Sequence, residues 1–158
     1  MYQDSLDAIC SLLNTAFPEV ETIYVNTTPE SFKRPCFFVM LATGDEENLS
    51  RSMYQVRMTW QIVYFAPLDP GHRPDPYNQL AAAEKLKSAL MDAMTLTGPD
   101  GTVYHILDVE GGPRENREIE NSLLQSNEVY VTIRLEAEKT RPEPVYDLMQ
   151  DIQHIQKL

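Results

Sequence analysis

The chain has 158 residues, 42% hydrophobic and 23% charged, which suits a single domain that buries roughly 70% of its unfolded surface. Its 13 Lys and Arg against 24 Asp and Glu leave a net charge of −11 with no basic run, which disfavours conventional nucleic-acid binding. Two cysteines without a C-x-x-C spacing are too few for a disulfide framework; the first residues show no basic region followed by an apolar one, so no secretion leader is expected, and no apolar run approaches 18 residues. The chain is therefore expected to be soluble and kept in a reducing cytoplasm, with Cys10 and Cys36 as small buried hydrophobes.

Residues 4–17 read as a first helix, because Leu6, Ile9, Leu13, Ala16 and Phe17 recur at three- and four-residue steps. Asp4 or Ser5 is placed to cap it and Pro18 to stop it. A short strand is predicted over 22–26, then a polar connection over 27–34. The apolar run 35–43 (PCFFVMLAT) reads as a buried strand with Pro35 as its first residue. Residues 44–51 (GDEENLSR) read as an acidic hairpin tip. Beyond it, Tyr54, Val56, Met58, Trp60, Ile62 and Tyr64 alternate with Gln55, Arg57, Thr59 and Gln61, the pattern of a long half-buried strand. One face of the sheet that holds this strand is left for solvent, a partner or a lumen.

A proline-stiffened loop, PLDPGHRPDP, leads to the second helix, 76–94, with Pro76 at its start. Leu80, Ala83, Leu86, Leu90 and Met94 form its predicted buried stripe. Asp100-Gly101 marks a hairpin between short strands at 95–97 and 103–109. Residues 110–120 (EGGPRENREIE) read as a charged, mobile loop, and 122–126 as a short strand. Residues 128–139 alternate again, with Val129, Val131, Ile133, Leu135 and Ala137 opposite Tyr130, Thr132, Arg134 and Glu136. Val145, Leu148, Met149, Ile152 and Ile155 then give a terminal helix. The fold class that follows is α+β: a largely antiparallel sheet with two helices packed on one face, plus a C-terminal helix.

No constellation in the chain carries a recognised chemistry. Asp45, Glu46 and Glu47 lack the spacing of a calcium loop, and His72, His105 and His154 are too scattered for zinc. Asp108 and Glu110 precede a strand reading Glu136-Ala-Glu138-Lys139, which is not the Asp…Glu-x-Lys of a magnesium nuclease. Ser5, Ser11 and Cys36 lack a nucleophile elbow, and Gly111-Gly112-Pro113 is a turn rather than a phosphate loop. Tyr54, Trp60 and Tyr64 share the apolar face of their strand and read as core, not as a base-stacking platform. No catalytic residue, metal or cofactor is called.

The helix ending at Phe17-Pro18, the connection carrying Phe32, the strand Pro35-Cys-Phe-Phe-Val39 and the strand ending Val63-Tyr-Phe-Ala-Pro67 form an ordered set. With the helix Tyr77…Ala83-Glu-Lys-Leu86…Leu90 and a late alternating strand, the chain resembles the small tail-terminator proteins of long-tailed bacteriophages and prophages, chiefly those of Gram-positive hosts. The resemblance spans roughly 1–140. It implies a tail-terminator-like domain over 1–141 and a helical extension over 142–158. It also implies a non-enzymatic virion component, made in the bacterial cytoplasm. Such a component forms a ring, commonly a hexamer, that caps the head-proximal end of the tail tube and contacts the tube protein and the head–tail connector. DNA is implied only as cargo passing through the lumen, and no membrane partner is implied. A neighbouring neck protein shares nearly all these features, and a small metal-dependent enzyme with a site in the charged loops is the reading from another class. Ring contacts are expected at Gln55, Arg57, Thr59, Thr132 and Arg134 on the polar sheet face, at Asp45, Glu46 and Glu47, and at Arg114 and Arg117.

Overall fold

The two alternating segments lie side by side at the centre of one sheet. The computed structural model describes residues 1–27, 29–114 and 128–142, with the Arg114 side chain outside that set. Its elements are α1 (Tyr2–Ala16), β1 (Thr22–Val25), β2 (Cys36–Asn48), β3 (Met53–Phe65), α2 (Pro76–Ala93), β4 (Thr95–Thr97), β5 (Val103–Arg114) and β6 (Glu128–Thr140). The order across the six-stranded sheet is β1-β2-β3-β6-β5-β4. Every pairing is antiparallel except β1 with β2, which is parallel, so the sheet is mixed rather than wholly antiparallel. The chain enters β1 from α1 and reaches β2 through a long connection, and that crossover permits parallel pairing.

The alternation sorts the side chains as expected. Val56, Met58, Trp60, Ile62 and Tyr64 of β3 are buried beneath the helices, together with Val129, Val131, Ile133, Leu135 and Ala137 of β6. Tyr54 is only half-buried. Phe17, Phe37 and Tyr64 close one end of this core, with ring centroids 5.0–6.1 Å apart. The phenol of Tyr64 donates to Asn78 Oδ1 at 2.6 Å and so ties β3 to α2.

The outer strands behave differently. β2 carries a bulge between Leu41 and Thr43, and β5 one between Ile106 and Asp108. An extra residue reverses which parity points inward. Phe37, Val39 and Leu41 face the helices before the first bulge; Gly44, Glu46 and Asn48 do so after it. Two expected loops are consequently strand. Asp45, Glu46 and Glu47 belong to β2, and the turn is only 49–52, because the residues after the bulge still pair with β3. Residues 110–114 continue β5, because Glu110 to Arg114 pair with Thr132 to Glu128. The remainder of the expected mobile loop, the expected strand over 122–126 and the expected terminal helix lie outside the described residues.

The helices also differ from expectation in detail. α1 begins at Tyr2 with no side-chain cap. Asp4 instead accepts from the Tyr104 hydroxyl at 2.8 Å and from the Asp100 N–H at 3.0 Å, fastening α1 to the β4–β5 hairpin. Gly98 makes this possible, since a Cβ there would occupy the space of the Asp4 carboxylate. Ser5 is buried and donates to the Tyr2 carbonyl, so the core stripe of α1 is Ser5, Ala8, Ile9 and Leu13; Leu6 and Ala16 are only partly covered. Cys10 is half-buried and not fully enclosed. In α2, Asp75 caps the first turn by accepting from the N–H groups of Tyr77 and Asn78, and Pro76 follows it. Its buried stripe is Gln79, Ala82, Ala83, Leu86 and Leu90. Leu80 and Met94 are exposed, which corrects the expected stripe. The inward direction is set by the small Ala82–Ala83 pair, and that rotation carries Leu80 to the flank and Gln79 inward.

Candidate functional site

Helices cover one face of the sheet, and the other face carries the polar series. Across its centre the residues of that face run Thr43, Thr59, Arg134 and Asp108, from β2 through β3 and β6 to β5. This row lies at the two bulges, where the outer strands bend. A shallow depression of about 180 Å³ opens there, lined by Thr43, Asp45, Glu46, Glu47, Gln55, Arg57, Met58, Thr59, Leu107, Arg134 and Leu135.

One end of the face is closed. Phe32, from the connection after β1, packs against Phe65 with ring centroids 4.7 Å apart and the rings tilted by 48°. The Arg34 guanidinium lies 5.1 Å from the Phe32 ring and 5.4 Å from Phe65, and donates to the Ala66 carbonyl at 3.1 Å. Beneath this cover Cys36 is buried, and burial pushes its thiol up to about 11 although Arg34 opposes the shift. Such a thiol is inert at neutral pH. Cys10 is likewise raised, by burial and then by Asp7.

The other end is open and charged. Arg57 donates from Nε to Glu136 at 3.0 Å and lies 3.9 Å from Glu47, a pairing exposed enough to be worth at most about 1 kcal/mol. Arg134 is exposed and forms no ion pair among the described residues. Around these two arginines the face presents Asp45, Glu47, Asp108, Glu110, Glu136 and Glu138. The surface is thus acidic, with one engaged and one unengaged cation.

Of the residues expected at ring contacts, Asp45, Glu46, Glu47, Gln55, Arg57, Thr59 and Arg134 line the depression. Thr132 lies one row away on the same face, opposite Gln61. Gln55 is on the same face but buried, at 8% exposed. Glu46 points to the helix side, where the Tyr2 hydroxyl donates to it at 3.2 Å. Arg114 ends β5 at the far end of the sheet, opposite Glu128, and Arg117 lies outside the described residues. Leu107 and Asp108 were not expected on this surface. The bulge between Ile106 and Asp108 hides Asp108, because the sequence parity changes there, whereas Leu107 follows the ordinary alternation. The acids weighed for nuclease chemistry do share the face, but Lys139 sits opposite Tyr54 on the helix side. Among the described residues no three His, Cys, Asp or Glu side chains converge to hold a metal ion. No described helix is long and apolar enough to cross a membrane.

The arrangement is therefore a broad, shallow, charged surface on a rigid sheet, suited to contact with another macromolecule. The chain matches no curated protein. Residues 4–110, from α1 through most of β5, match the family described as phage tail terminator protein. This span holds the helix–strand order and the motifs around Phe17, Phe37 and Phe65, and the chain belongs to the phage tail terminator family, whose members are structural components of the virion tail.

Proposed function

We propose that the chain closes into a homo-oligomeric ring, a hexamer in the simplest case, that caps the head-proximal end of the tail tube and presents a surface to the head–tail connector. The observation that carries this reading is the open sheet face: a rigid, acidic surface with an unengaged arginine, left bare by both helices. A closed ring needs two unlike patches on each copy, because a self-complementary patch gives only a pair. The open face supplies one. We place the other at the end of β5 and in the sequence that follows it, where Arg114 and Arg117 are available to complement the acids of a neighbour's face. The net charge of −11 leaves the ring repelling DNA, so that DNA slides through without adhering. Assembly takes place in the host cytoplasm.

Arg134 is the residue to test. Arg57 is held by Glu136 and Glu47, so reversing it sets three carboxylates together within one copy. Arg134→Glu changes an exposed position, at a cost of no more than about 1 kcal/mol to the fold. Light scattering on the eluting protein should give a multiple of the monomer mass for the native chain and a lower mass for Arg134→Glu, with unchanged circular dichroism. A native chain that elutes only as a monomer at all concentrations contradicts the ring.

A further inference from the structure

β5 outruns the strand beside it. β4 pairs only with residues 103–105 of β5, and from 107 to 114 no described strand lies on its outer side. The outward backbone groups follow from the hydrogen bonds. Before the bulge, Thr102 and Ile106 turn toward β4: the Thr102 carbonyl accepts from the Gly98 N–H at 2.9 Å, and the Ile106 N–H donates to the Met94 carbonyl at 2.9 Å. The bulge between Ile106 and Asp108 swaps that parity, so beyond it Val109, Gly111 and Pro113 face outward. An edge of this kind presents unpaired N–H and C=O groups on which another chain can add a strand.

Three features oppose such addition here. Pro113 has no N–H to donate. Gly111 holds φ at +112°, away from regular strand geometry, and a Cβ there would overlap the Tyr130 carbonyl. The third feature is Lys87 of α2, a half-buried side chain whose Nζ donates to the outward Gly111 carbonyl at 2.9 Å. In a chain with 24 Asp and Glu, this ammonium forms no ion pair among the described residues. It holds instead the acceptor that an added strand would need.

We propose that Lys87 guards the β5 edge against pairing with the same edge of a second copy. A second copy fits because the outward groups are self-complementary. In antiparallel pairing about a two-fold axis, Val109 of each copy lies opposite Gly111 of the other, and each such pair exchanges N–H and carbonyl. Every exchange uses a Gly111 carbonyl, which Lys87 already occupies. The pairing cannot lengthen past this point, because the next outward residue is Pro113. A contact of this kind is self-complementary and closes on a pair, so the guard keeps copies from being lost to a two-fold dimer. The inference concerns the edge alone and does not require the ring.

Amide hydrogen exchange on the full chain tests it, with light scattering beside it. Lys87→Met keeps a straight aliphatic side chain and removes the donor; Lys87→Arg keeps a donor. In the native chain and in Lys87→Arg, exchange at Val109 and Gly111 should not change with protein concentration. In Lys87→Met the same two amides should slow by at least about tenfold as concentration rises, and a species of twice the native mass should appear. Circular dichroism should be the same for all three chains, since the position is at the surface. Lys87→Met with exchange and mass like the native chain over the same concentrations overturns the guard. So does a native chain in which Val109 and Gly111 gain protection with concentration, because the edge would then already be paired.

Discussion

Trp60 gives the most informative perturbation of the core. It sits at the middle of β3, 3% exposed, facing both helices, and its Nε1–H has no hydrogen-bond partner among the described residues. A buried tryptophan hides about 150–250 Å². At about 25 cal/mol per Å², truncation to alanine costs about 3–5 kcal/mol once the cavity partly relaxes. The unpartnered N–H offsets part of that loss, because removing a desolvated donor returns about 1 kcal/mol. Trp60→Ala should therefore destabilise by about 3 kcal/mol. Trp60→Phe keeps most of the packing and removes the stranded donor, so it should fall within about 1 kcal/mol of the native chain. The chain has one tryptophan, so the comparison requires urea unfolding followed by far-ultraviolet circular dichroism instead of fluorescence. A Trp60→Phe chain as unstable as Trp60→Ala would show that the indole N–H is bonded and that the packing term has been overestimated.

Gln79 is the companion case, 3% exposed with Nε2 unpartnered among the described residues, and Gln79→Met should leave the unfolding midpoint unchanged or raise stability by up to about 1 kcal/mol. Gly98→Ala should lower stability by about 1–3 kcal/mol, because the new methyl displaces the Asp4 carboxylate from Tyr104 and Asp100; an unchanged melting temperature would mean that this contact does not fasten α1. Burial, with Glu19 adding to it, raises the Tyr64 phenol from 10.0 to about 12, and Tyr104 shifts in the same direction. A folded-state value above the unfolded one means that stability is fully present below pH 10 and declines as pH rises toward 12. Denaturant midpoints measured through that window should fall for the native chain and less steeply for Tyr64→Phe.

The central strands were legible in the sequence because nothing interrupts their period. Val56 to Tyr64 and Val129 to Ala137 alternate without a bulge, so each inward side chain occupies a predictable position. β2 and β5 were half-legible for the opposite reason: the bulges at 41–43 and 106–108 swap parity within each strand. After the swap, β2 reads as acids and β5 as glycines and a proline, which resemble turns when no partner strand is in view. The parallel pairing of Thr22–Val25 with β2 depends on a crossover that local pattern does not encode. In α2 the buried stripe was misplaced because Leu80 is more apolar than Gln79, while the close fit of Ala82 and Ala83 decides the rotation. On the open face Arg57, Thr59 and Arg134 were visible as the polar half of an alternation. Asp108 became part of that surface only through the bulge, beside Leu107.

Electron microscopy of particles made by a phage lacking this chain is the most direct measurement of the proposed capping role. Without a terminating ring, tube subunits add without a stop, so the tails should be of uncontrolled length, or should accumulate unjoined to heads. Supplying the native chain should restore uniform, joined tails, and Arg134→Glu should restore them poorly. Uniform tails on infectious particles in the absence of the chain would contradict the role outright.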